Sequence, residues 1–174
     1  MYLISAYFDD EANKRIQQYI DQVAKRTGNT YMQDSHVPPH ITISSFHTKN
    51  IDGAISLLKD HFSNYEQGPI QWTSVSAFLP YVLYIAPVLN AYLHRLNLDT
   101  TTCIAQAEDI KISPYHQPFS WMPHTTICKK LTPEEMQIAF LVLQHQFGPF
   151  EGKITRIGLA KTRPYEDIIS FDLK

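Results

Sequence analysis

A histidine with a threonine two residues later occurs twice, in Pro39-His40-Ile41-Thr42 and Pro123-His124-Thr125-Thr126. In a strand, residues two apart share a face, with roughly 7 Å between their Cα atoms, so each pair presents an imidazole beside a hydroxyl. Because histidine titrates near neutrality, one imidazole can accept a proton while a second, protonated, gives one up. Hydroxyls can donate to the non-bridging oxygens of a phosphate, where charge accumulates during attack. The four groups suit in-line attack of water on a phosphodiester, with a base on the water and an acid on the departing oxygen, and the scheme needs neither metal nor cofactor. Chance alone gives about 0.04 such four-residue matches at this chain's proline, histidine and threonine content, so two carry information. The structural alternative is that each histidine caps its strand and bonds a backbone carbonyl.

The elements around the two motifs follow the same order. In the first half, Tyr2–Phe8 reads as a strand, and Ile16, Tyr19, Ile20 and Val23 form one helical stripe that Gly28 stops. A strand is predicted over 40–46, a helix after Asn50 with Ile51, Ile55, Leu58 and Phe62 inward, and a strand over 70–79. In the second half a strand over 81–88 precedes a helix with Leu89, Tyr92, Leu93 and Leu96 inward, a long connector, and a strand from His124. Thr132-Pro133 with Glu135 forms a capping-box start, and Met136, Phe140, Leu143 and Phe147 are expected to face the core. Strands over 152–161 and 167–173 close the chain. The two histidines lie 84 residues apart at matching places in this order, so the architecture reads as an internal duplication with a pseudo-twofold axis. On that axis the two histidine–threonine faces should meet across one groove.

Bulk composition narrows the classes. The 174 residues suit one domain, expected over 1–174, with one lobe near 1–80, a second near 81–174, and terminal strands free to cross between them. A hydrophobic share of 44% with 18% charged residues is that of a water-soluble globular chain, and no apolar run could cross a bilayer. The N-terminal residues lack a secretion-signal pattern, so a cytoplasmic location and no membrane partner are expected. Cys103 and Cys128 have neither disulfide-framework nor metal-type spacing and read as reduced core residues. A formal net charge of −2 argues against a surface that grips a long phosphate backbone, while a nucleotide or a single RNA end remains a fitting partner.

Weaker candidates surround the motifs. Tyr115, Phe119 and Trp121 precede the second motif in a proline-rich loop, where they could stack a base or plug a gap in the packing. Lys129, Lys130 and Arg163 could attract phosphate or simply be solvated. His36 and His40 have a helical zinc-ligand spacing, but Pro38 and Pro39 between them forbid the helix. His47, His61, His94, His116 and His145 show no partner pattern and read as surface or structural residues.

On the segments His40-Ile41-Thr42-Ile43 and His124-Thr125-Thr126-Ile127, and on the repeat order, the chain resembles the 2H phosphoesterases, which include the 2'-5' RNA ligases and RNA 2',3'-cyclic phosphodiesterases. The resemblance implies an α+β fold, bilobal and duplicated, with antiparallel-rich sheets around a central groove. It also implies that His40 and His124 are the acid/base pair and that Thr42 and Thr126 hold the phosphate. Thr125 departs from the pattern, standing where the family more often has an apolar residue. The expected activity is metal-independent hydrolysis of a 2',3'-cyclic phosphate on an RNA end or small nucleotide, by a monomer without cofactor. Hydrolysis or ligation of a 2'-5' phosphodiester is the alternative within the fold. A non-catalytic module that binds phosphate ends or RNA is the alternative of another class. The duplication makes the two histidines formally equivalent, which leaves the choice of acid and base open.

Overall fold

The computed structural model describes residues 1–174 and shows an α+β fold. Its elements are β1 (Tyr2–Phe8), α1 (Asp10–Thr27), α2 (Tyr31–Asp34), β2 (Ile41–His47), α3 (Ile51–Phe62), β3 (Gly68–Phe78), β4 (Val82–Pro87), α4 (Ala91–Ile104), β5 (Lys111–Ile112), β6 (Thr125–Cys128), α5 (Pro133–Gln146), β7 (Phe150–Lys161) and β8 (Glu166–Asp172). Each long helix starts on a side-chain cap that satisfies an otherwise orphaned N–H. Asp9 accepts from Ala12, Asn50 from Gly53, Asn90 from Leu93, and Thr132 from Glu135 within a full capping box. Gly28, at φ 78°, ends α1 in the left-handed conformation that glycine adopts without strain.

All strands pair antiparallel in one sheet of order β1-β2-β6-β4-β3-β7-β8, with β5 beside β2, and β1 also pairs with β7. Exchanging β1 with β4, β2 with β6, and β3 with β7 leaves every pairing among these six strands intact. The same exchange maps the contact of α1 with α5 onto that of α4 with α3. Each helix pair therefore takes one helix from each half of the sequence, so the halves are interleaved in the packing. Ile41 pairs with Thr125, its own counterpart in the repeat, which places the pseudo-twofold axis between them.

The helices cover one sheet face, where Ile4, Ala6, Ile16, Ile41, Leu58, Trp72, Leu83, Leu93 and Leu143 are buried in one continuous core. Two expected core positions are corrected. Leu89 lies before α4 and is 48% exposed, because Asn90 caps the helix one residue later. Phe140 lies on the outer side of α5, whose buried stripe is Met136, Ala139, Val142 and Leu143. The single turn α2 and the two-residue β5 are too short to show a period in sequence.

Candidate active site

His40 and His124 are the residues immediately before β2 and β6, where the chain leaves proline-rich segments. His40 Nδ1 bonds the Pro38 carbonyl at 2.9 Å, and His124 Nδ1 bonds the Met122 carbonyl at 2.9 Å. A carbonyl only accepts, so Nδ1 carries the hydrogen in both rings and Nε2 is left for the groove. The carbonyl bond expected of a merely structural histidine is thus present twice, and it is also what fixes the tautomer an acid/base imidazole needs.

From the Ile41–Thr125 pair, one antiparallel step either way sets His40 opposite Thr126 and Thr42 opposite His124. Cross-strand neighbours have Cβ atoms about 4.5–5.5 Å apart and diagonal ones about 7–8 Å, so the two imidazoles stand on one diagonal and the two hydroxyls on the other. Burial separates the faces: Ile41, Ile43, Thr125 and Ile127 are fully buried, whereas all four motif residues are partly exposed. Thr125 is accommodated because its Oγ1 accepts from Trp72 Nε1 at 3.1 Å.

Both histidine strands carry a bulge at the same place. Ile4 pairs with Ser44 but Ser5 with Thr42, and Leu83 pairs with Cys128 but Tyr84 with Thr126. The extra residue, Ile43 or Ile127, shifts the alternation, so Ser45 and Lys129 return to the histidine–threonine face. Lys129 thereby joins the site. Its counterpart Ser45 has its Oγ 3.1 Å from His116 Nδ1. Asn97 Nδ2 pins this corner by donating to the carbonyls of Ile43 (2.9 Å) and His116 (3.0 Å).

The cluster resists protonation. Burial pushes His40 down to about 4, against the pull of the Pro38 carbonyl, and the positive charges of Lys129 and His124 add to the depression. His124 is lowered by burial and by Lys129, and His116 is lowered to about 4 by burial and by His124. Burial also lowers Lys129 itself. Four basic groups with reduced proton affinity around one groove make a place whose protonated forms a nearby negative charge would favour. No group of three or more His, Cys, Asp or Glu is gathered to hold a metal ion.

The flanks differ. Beside His40 lies the Tyr7 ring, at 6.3 Å between centroids, with the Arg156 guanidinium 4.7 Å over it and the Tyr165 hydroxyl 3.4 Å from its own. Beside His124 stand Phe78, edge-on at 4.9 Å, and Tyr84 at 5.2 Å. Of the aromatics picked from the connector, Trp121 is buried and donates through Nε1 to the Thr42 carbonyl at 2.9 Å, a packing and positioning placement with no ring face free for a base. Tyr115 and Phe119 are exposed, and Phe119 rests against His94 of α4. Arg163 is exposed in the β7–β8 turn, while the cation stacked beside His40 is Arg156. Sequence reasoning missed Tyr7, Phe78, Arg156, Ser45 and His116. Alternation along β1 could have flagged Tyr7, but Ser45 and His116 reach the site only through the bulge.

The fold recurs in solved structures that share little sequence. Escherichia coli LigT complexed with 3'-AMP matches over 99% of this chain and 97% of its own, with a TM-score of 0.59 and 12% identity. TT0787 of Thermus thermophilus matches over 98% and 96%, with a TM-score of 0.66 and 13% identity, and a structure described as a phosphoesterase matches over 99% and 97%, with a TM-score of 0.60 and 12% identity. No curated protein sequence matches. Residues 8–166, which hold both histidine motifs and the elements from α1 to β7, match the 2'-5' RNA ligase superfamily, and the chain belongs to that family of 2H phosphoesterases.

Proposed function

We propose that the protein hydrolyses 2',3'-cyclic phosphates by two-histidine acid/base catalysis, without a metal. The carrying observation is the diagonal quartet: two imidazoles with Nδ1 held by carbonyls, alternating with two hydroxyls about one axis. A phosphate on that axis meets a free Nε2 on each side, as in-line displacement requires. Thr42, Thr126 and Lys129 face its non-bridging oxygens. His40, pushed down to about 4, is neutral at neutral pH and takes the proton of the attacking water. As the new P–O bond forms and the P–O bond to ribose breaks, His124, protonated in the presence of the anion, gives its proton to the departing oxygen. Exchange with solvent then resets both rings. Opening the ring leaves a nucleoside monophosphate, the kind of molecule held by LigT in its complex with 3'-AMP.

The family match supports a second reading, cleavage or formation of a 2'-5' phosphodiester by the same groups. Turnover of a cyclic mononucleotide and of a 2'-5'-linked dinucleotide, each in excess chelator, is the test. Ring opening with chelator present is the expected result. Binding of both compounds without turnover of either would make the protein a phosphate-end binding module instead. Roles are separated with a nitrophenyl phosphodiester, whose leaving group needs no proton: His124→Ala should lose less activity on it than His40→Ala.

A further inference from the structure

An apolar cavity of about 580 Å³ opens beside β6, lined by Tyr31, Tyr81, Val82, Lys130 and Leu131, and Lys129 forms part of its wall. The site is held in place by its own bonds. Lys130 has φ 58°, uncommon for a residue other than glycine, and Asn29 Nδ2 fixes the segment by donating to the carbonyls of Lys129 and Lys130, each at 3.3 Å. Lys130 Nζ lies 4.4 Å over the Tyr31 ring, and Leu131 N donates to the Tyr81 carbonyl at 3.1 Å. Tyr31 is 38% and Tyr81 61% exposed, so both rings keep open surface.

Lys129 and the β3–β4 hairpin link the cavity to the histidine face. Phe78, 39% exposed, stands edge-on to His124, and Tyr81 N donates to the Phe78 carbonyl at 3.2 Å. Three partly exposed aromatic rings, Phe78, Tyr81 and Tyr31, therefore share with Lys129 and Lys130 the region from His124 to the cavity. Unpaired nucleic acid is held by such a surface, rings stacking on bases and ammonium groups meeting the phosphates between them. The volume lies within the range of small-ligand sites. In a chain of net charge −2, paired lysines beside exposed tyrosines are a local feature rather than part of a general basic surface.

We infer that this cavity is a nucleobase subsite for single-stranded RNA, taking the nucleotide that precedes the terminal ribose. The terminal nucleoside lies along Phe78 and the intervening phosphate at Lys130. The inference rests on the phosphodiesterase reading and narrows its substrate to an RNA end over a free cyclic mononucleotide.

Steady-state kinetics on a cyclic mononucleotide and on a trinucleotide ending in the same cyclic phosphate test it. The wild-type kcat/KM should be at least about tenfold higher on the trinucleotide, and Tyr31→Ala and Tyr81→Ala should each raise KM for it by about 5- to 150-fold, the worth of one stacked base. The mononucleotide, too short to reach the cavity, reports the fold and the histidine chemistry of each variant. Equal wild-type kcat/KM on the two substrates, or variants that slow both alike, would overturn the inference. If neither substrate turns over, the phosphodiesterase reading fails, and anisotropy of a labelled trinucleotide with a 3'-phosphate judges the cavity alone. Weaker binding by Tyr31→Ala and Tyr81→Ala then supports the subsite, and unchanged binding refutes it.

Discussion

Each imidazole of the pair has one nitrogen committed and one free, and that division shapes what substitution does. On the proposed mechanism, replacing His40 or His124 by Ala removes a positioned acid or base and should lower kcat on a cyclic phosphate by about 10²–10⁴, measured with folding checked by circular dichroism. The double variant should lose less than the product of the single losses, because a base without its acid already runs an impaired cycle. The pH profile follows from the depressed proton affinities. With His40 at about 4 and His124 also lowered, the bell in kcat/KM, which reports the free enzyme, should fall on its alkaline side at or below the ordinary imidazole value of about 6.5. Burial holds both values down and the charge of Lys129 adds to it, so Lys129→Met should move that limb to higher pH and weaken inhibition by inorganic phosphate. A limb that stays in place would remove Lys129 from the site. The two histidine–threonine pairs were legible as candidates because their chemistry lies in residue type and spacing, whereas the placement of Lys129 depends on the bulge at Ile127. His116 was not, since its link to the site is a hydrogen bond to Ser45 across 71 residues of chain.

Elements carry the site through two indole bonds. Trp72 of β3 donates to Thr125 between the histidine strands, and Trp121 donates to the Thr42 carbonyl beside the proposed phosphate position. Thr125→Val keeps the shape but leaves the buried Trp72 N–H without an acceptor, an expected loss of about 1–3 kcal/mol in denaturant unfolding. Trp121→Phe frees the Thr42 carbonyl and should lower kcat along with stability, whereas loss of a base-stacking ring would raise KM with stability intact. The long helices were readable in advance because each has a cap and an apolar period, and α1 a stop as well: Asp9, Ile16-Tyr19-Ile20-Val23 and Gly28 define it almost without tertiary help. The bulges at Ile43 and Ile127 were not readable, because an isoleucine in a bulge looks like an isoleucine in a regular strand. Their matching positions become visible only when both strand registers are known, and they are what turns Ser45 and Lys129 toward the groove.

For the molecule as a whole, the pseudo-twofold axis gathers His40, His124, His116 and Lys129 at one place, and folding therefore works against proton binding there. The sign follows from linkage. An unfolded histidine titrates near 6.5, while His40 and His116 in the folded chain titrate at about 4. Above pH 6.5 both states are neutral at these sites and the folded state keeps its full stability. As pH falls through the window from about 6.5 to about 4, the unfolded chain takes up protons that the folded chain refuses, and stability is lost. Melting temperature should thus drop across that window, and His40→Gln and His116→Gln should each flatten the drop, which separates these histidines from carboxylates titrating in the same range. A bound phosphate reverses the penalty, because its charge favours the protonated imidazoles that folding alone disfavours. At constant ionic strength, phosphate in place of chloride should raise the melting temperature more at pH 5 than at pH 8, and less in either glutamine variant. A phosphate effect that grows with pH instead would mean that the anion binds elsewhere, because a site bounded by these proton-poor histidines couples anion binding to proton uptake.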